Sequence, residues 1–154
     1  MFNKTVLLVI RHGNSGPLGV IVNRPQSLSL DKIFPAYPAA QKFSLFNGGP
    51  VYPEQLFYLV RGGDDVAKGS VMISANIYLA FDTSLLGELL GGNRHYTDLR
   101  VMHGVAAWAP GQLESEIKRG DWYVMPFEEA VIFDLPPEDM WQELHHRTNR
   151  AQEF

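Results

Sequence analysis

Seven consecutive residues, Trp108-Ala109-Pro110-Gly111-Gln112-Leu113-Glu114, constrain the fold more than any other stretch of this chain. A large aromatic, two backbone breakers and a helix start stand side by side. Proline fixes φ and lacks an N–H, so Pro110 suits the first position of a helix running to Arg119, with Gly120 as its stop. Leu113 and Ile117 then form the buried stripe of that helix. The run before it, Arg100 to Trp108 (RVMHGVAAW), predicts a central strand. Its Gly104 and Ala106-Ala107 imply that a neighbouring element packs closely against the backbone. Trp108 sits where strand becomes helix, and packing is its expected role.

The rest of the chain supplies partners for that strand. Lys4 to His12 is a nearly continuous apolar run, expected to be a strand buried on both faces. The turn Gly13-Asn14-Ser15-Gly16-Pro17 joins it to Leu18–Val22 as a hairpin, and Asn23-Arg24-Pro25 ends the second strand. Ser29 is a candidate N-cap for a short helical element that Pro35 stops. Phe43 to Phe46, Leu56 to Val60 and Gly69 to Ser74 predict further strands, whereas Asn76 to Ala80 fits either a strand or a short helix. Thr83 to Leu90 predicts a helix, because Leu85/Leu89 and Leu86/Leu90 are i,i+4 pairs capped by Asp82 or Thr83 and stopped by Gly91-Gly92. Asp121 to Met125 is strand-like, Phe127 to Phe133 a short helix, and Pro136-Pro137 opens a last helix near Glu138 to Arg147. Hairpins in the first half and strand–helix alternation in the second give an α+β protein around a mainly antiparallel or mixed sheet, as one domain over residues 1–154.

Composition narrows the function. There is no cysteine among the 154 residues, so disulfides, thiolate catalysis and Cys-ligated zinc are excluded. A net charge of −4 argues against direct nucleic-acid binding, which calls for a basic footprint. The apolar run Val6 to Ile10 is far too short for a membrane span, and a cytoplasmic protein without membrane attachment is expected.

Histidines give little chemistry. His145-His146 are adjacent, diverge by about 100° on a helix and offer neither HxxxH nor HExxH, so no metal or other cofactor is expected. His12 and His103 can converge if their strands are neighbours, which keeps open an enzyme, such as a hydrolase, with one of them as general base. A triad of Ser74 or Ser84 with His103 and Asp82 can be written down, but no G-x-S-x-G turn supports it. Gly48-Gly49, ahead of Pro50, serve either a tight turn or close backbone approach, or present an anion-binding nest of N–H groups. Arg24 can hold a carboxylate or phosphate, or bind carbonyls across a loop.

Three motifs in order, Leu18-Gly19-Val20-Ile21-Val22-Asn23-Arg24-Pro25, Gly48-Gly49-Pro50-Val51 and Trp108 to Glu114, followed by Gly120-Asp121-Trp122, resemble the AlgH-like family over Lys4 through Trp141. The resemblance implies a branched sheet curled into a pseudo-barrel with flanking helices, and a link to transcriptional regulation of alginate synthesis without an established biochemical activity. It brings no catalytic residues. It does suggest a ligand-binding surface at Asn23, Arg24, Gly48, Gly49, Trp108 and Gln112. Members of the family usually carry an Asp-Pro-x-Phe segment before the first strand. Met1-Phe2-Asn3 stands in its place, so an exposed sheet edge that can pair with another molecule is expected. The leading functional expectation is a non-enzymatic binding or regulatory domain, acting on a small molecule or a protein partner.

Overall fold

The computed structural model describes residues 4–10, 16–63 and 70–152. Among them are strands β1 (Leu7–Ile10), β2 (Leu18–Ile21), β3 (Pro25–Ser29), β4 (Ser44–Asn47), β5 (Val51–Arg61), β6 (Val71–Ser74), β7 (Ile77–Ala80) and β8 (Asp98–Ala107). The helices are α1 (Thr83–Leu90), α2 (Gln112–Lys118), α3 (Glu129–Phe133) and α4 (Pro137–Gln152), with 3-10 turns at Leu30–Lys32 and Pro38–Lys42. The sheet runs β1-β2-β8-β5-β7-β6, nearly closed into a barrel, and β4 joins β3 to β8 as a branch. All pairings are antiparallel except β4 with β8. Among the described residues no helix is long and apolar enough to cross a membrane.

The centre of the sheet is β8, and its two edges explain the branch. Along one edge β5 pairs from Arg61↔Asp98 to Leu56↔His103 and again at Val51↔Val105. The other edge is shared: β4 takes Val101 to His103, and β2 takes Ala106 and Ala107. At the changeover the Gly48 N–H donates to the His103 carbonyl (2.8 Å), and the Gly48 carbonyl accepts from the Ile21 N–H (2.9 Å). One glycine thus hands β8 from β4 to β2.

That crossing requires bare backbone. A Cβ on Gly48 would lie 2.4 Å from the Gly104 carbonyl oxygen, and one on Gly104 would lie 2.1 Å from that of Gly49. Gly104 is also left-handed (φ 77°), and it lies opposite the register irregularity between Val51 and Leu56 of β5. Met102 and Val105, three residues apart, enter the same apolar core.

The sheet buries both faces. Phe57 and Leu59 of β5 point into the interior with Leu8, Val20, Val131 and Met140, while Tyr58 and Val60 meet the leucines of α1 on the other side. This two-sided burial is why β5 is apolar without alternation. The same expectation fails for β1, an end strand of the sheet: Leu8 and Ile10 are buried but Val9 is 46% exposed. Three other local expectations are corrected. Pro110 precedes α2 rather than opening it, since Gly111 in the left-handed region (φ 83°) is the N-cap. Ser29 makes no capping bond to the backbone; its hydroxyl pairs with Asp31. Asp121 to Met125 belongs to no strand, because no neighbouring strand completes a ladder with it.

Candidate functional site

The predicted surface residues divide between two places. Asn23, 9% exposed, acts as a surrogate ladder partner: its Oδ1 accepts from the Val6 N–H and its Nδ2 donates to the Lys4 carbonyl, both at 2.9 Å. Arg24 donates to the Thr5 hydroxyl (2.7 Å), and its carbonyl accepts from the Asn47 N–H (2.9 Å). Both therefore fasten the start of β1 to the β2–β3 corner. At Gly48-Gly49 the N–H groups point to the His103 carbonyl and to Asn47 Oδ1 (3.1 Å), so close backbone approach is realised and no anion nest is presented.

Trp108 and Gln112 do come together, at a cleft of about 400 Å³ whose floor is Pro50, Val51, Ala106 and Ala107. The residue that organises it, Glu116, is one that sequence reasoning missed. Its Oε1 accepts from the Trp108 and Trp122 indole N–H groups (3.1 and 2.9 Å), and its Oε2 from the Gln112 amide (3.0 Å). Gln112 in turn accepts from the Ala109 N–H (3.0 Å), tying the strand end to the helix. The two indoles meet edge to face, centroids 6.3 Å apart. The signal was available: buried indole N–H groups need acceptors, and Glu116 lies one turn beyond Gln112 on the same helix face.

The donated N–H groups, that of Trp122 foremost and then that of Gln112, hold the Glu116 carboxyl below its ordinary value of 4.5. A depressed folded-state value means the clamp contributes fully above the unfolded-state value and is lost as pH falls through the folded one. The Trp108 and Trp122 indole resonances should therefore titrate together on acidification, with a midpoint below 4.5. In the Glu116→Gln variant that titration should vanish. A midpoint at or above 4.5 in the unmodified protein would contradict the assignment.

A larger groove, about 700 Å³, lies on the other side of Trp108 and Trp122. One part of its wall is β1 with its lead-in from Lys4; another is the extended segment 121–128; α4 contributes Trp141, Leu144 and His145. Tyr123, Val124 and Phe127 are 63, 72 and 38% exposed there. His145 stacks on Trp141 (4.6 Å), with the Lys4 ammonium 5.5 Å from the Trp141 ring. Neither cavity is lined by Asn23, Arg24, Gly48 or Gly49.

The catalytic alternatives gain no geometry. His103 Nδ1 faces the Pro53 carbonyl (3.0 Å) and Nε2 faces Gln26 Oε1 (3.2 Å), so both ring nitrogens are engaged without a carboxylate. Asp82 caps α1 through the Ser84 N–H (2.8 Å) instead of orienting a histidine. His12 lies outside the described residues. Among the described residues no group of three His, Asp or Glu side chains is placed to hold a metal ion.

Comparison with known proteins places this architecture. The sequence profile described as AlgH-like matches residues 1–151. A UPF0301 protein of Coxiella burnetii is 33% identical over 147 residues, covering 92% of this chain and 77% of the relative. One from Methylococcus capsulatus is 35% identical with the same coverage of each. The solution structure of the AlgH protein from Pseudomonas aeruginosa superposes with a TM-score of 0.78 at 26% identity, over 94% of this chain and 78% of that one. A crystal structure from Corynebacterium diphtheriae, at 23% identity and a TM-score of 0.74, shares the fold over 93% and 76% of the two chains.

Proposed function

This chain belongs to the AlgH-like family, whose function is uncharacterised, and we propose that it is a non-enzymatic binding domain that captures an extended apolar segment of a partner protein. The segment adds as a strand to β1, within the groove. The observation that carries this reading is the outer edge of β1, which no strand among the described residues pairs. The Val6 carbonyl accepts from the Val22 N–H (3.0 Å), and the register runs Leu7↔Ile21, Leu8↔Val20, Val9↔Gly19. Antiparallel bonding alternates, so Leu8 and Ile10 direct their backbone groups at β2 while Leu7 and Val9 direct theirs away from it.

An unpaired edge beside exposed apolar side chains is a template for strand addition, and native proteins ordinarily cover or charge it. Strand β1, Leu7–Ile10, spans roughly 13 Å at ~3.3 Å per residue, room for the central four residues of a partner segment. Regulation by capture of a partner, in a cytoplasmic setting that a cysteine-free chain suits, is the role this chemistry supports. Direct nucleic-acid contact is disfavoured by the net charge of −4. The alternative of an enzyme with His103 as base has no comparable support, since that ring is already bonded on both sides.

The test is amide exchange read residue by residue. In the free protein the Leu7 and Val9 amides should exchange much faster than those of Leu8 and Ile10. A capped hexapeptide alternating valine and threonine should slow the first pair selectively. Val9→Lys places a charge on the exposed edge and should abolish that protection while leaving the β1–β2 ladder intact. Equal protection of all four amides in the free protein, or peptide binding untouched by Val9→Lys, would sink the proposal.

A further inference from the structure

The smaller cleft carries a second, independent inference. Its chemistry differs from that of the groove: a carboxylate set among indoles above an apolar floor. A carboxylate offers about four acceptor positions. Trp108 and Trp122 fill those of Oε1, and Gln112 takes one on Oε2, which leaves Oε2 with unused acceptor capacity. All three donors are neutral and leave the negative charge in place.

The charged neighbours do not cancel it. Arg119 is bound to Asp121, with Nε at 2.9 Å and Nη2 at 2.5 Å from Oδ2, and its side chain is 67% exposed. Taking Glu116, Arg119 and Asp121 together, one positive and two negative groups leave a formal charge of −1 at the cleft. A fixed carboxylate beside indole rings, whose π faces attract positive charge, suits a cation with a modest apolar body. The cavity's volume of about 400 Å³ falls at the small end of ligand pockets.

We infer that the cleft between β8 and α2 binds a small organic cation, a primary ammonium or guanidinium group carried on a short apolar body. The head donates to Glu116 Oε2, and the body lies over Ala106, Ala107, Pro50 and Val51. Nothing in this inference uses the β1 edge, so failure of strand addition leaves it standing.

Nitrogen-15 NMR of the full chain tests it, because the indole N–H groups of Trp108 and Trp122 report on Glu116 directly. Titration with phenethylammonium should shift both resonances saturably, whereas 3-phenylpropanoate, of the same shape with opposite charge, should not. Glu116→Gln preserves the size and an acceptor but removes the charge, and should weaken ammonium binding by roughly tenfold or more. Should that variant fold poorly, Ala107→Leu fills the cleft from an exposed position without touching Glu116; it should abolish binding while the free-state indole shifts persist. Equal or tighter binding of the carboxylate probe, no saturable shift at millimolar ammonium, or binding unaffected by Ala107→Leu would each overturn the inference.

Discussion

Gly104→Ala is expected to leave the protein at the edge of unfolding. Its new Cβ would stand 2.1 Å from the Gly49 carbonyl oxygen and 3.2 Å from that of Val51, and both obstacles are backbone, one in the β4–β5 connection and one at the start of β5. A left-handed φ of 77° adds strain of ~1–2 kcal/mol for any residue bearing a Cβ. Overpacking against rigid backbone contributes a further ~1–3 kcal/mol. A total on the order of 2–5 kcal/mol is a large part of the ~5–15 kcal/mol that stabilises an ordinary domain. Gly111→Ala is the matched control. Its φ is 83°, but nothing lies within 4 Å of the added Cβ, so only the strain remains. Urea midpoints for the two variants should therefore differ widely. Similar losses would show that dihedral strain, not the β4-to-β2 crossing, sets the cost at Gly104.

How legible this fold is depends on how far each signal reaches along the chain. The helix Thr83–Leu90 agrees with expectation residue for residue because its determinants are local: i,i+4 leucines, and an Asp82 carboxylate that accepts from the Ser84 N–H. Gly104 was legible as a place of close approach, though not as the partner of Gly49, 55 positions away, because single-residue patterns carry no address. Asp121 to Met125 has strand composition but lacks a ladder, since composition cannot supply a neighbour. The branched, nearly closed sheet came from family resemblance, not from periodicity. Of the predicted surface, Trp108 and Gln112 share one cleft, while Asn23 and Arg24 bind the lead-in to β1. Asparagine and arginine can recognise a ligand or replace a missing ladder bond with the same atoms. Only the placement of Lys4, Thr5 and Val6 distinguishes the two uses.

Trp108→Ala should cost about 3–5 kcal/mol, the range for emptying a buried aromatic site. The side chain is 6% exposed and packs with Ala106 and Leu113, with Leu7, Ile117 and Trp122 around them. Its ring also lies close over Gly19, where an added Cβ would come within 3.1 Å of it. Because Trp108 lines both the cleft and the groove, its removal should weaken ammonium and peptide binding together. Trp108→Phe separates packing from hydrogen bonding, since it keeps most of the ring and loses the N–H to Glu116. Glu116 is partly exposed and can recover water, so the loss should be well below that of Trp108→Ala. A double-mutant cycle of Trp108→Phe with Glu116→Gln, read by urea unfolding, should give losses that do not add, the second substitution costing less once the first is made. Coupling near zero would make Trp108 a packing residue alone and leave Trp122 and Gln112 to position the carboxylate.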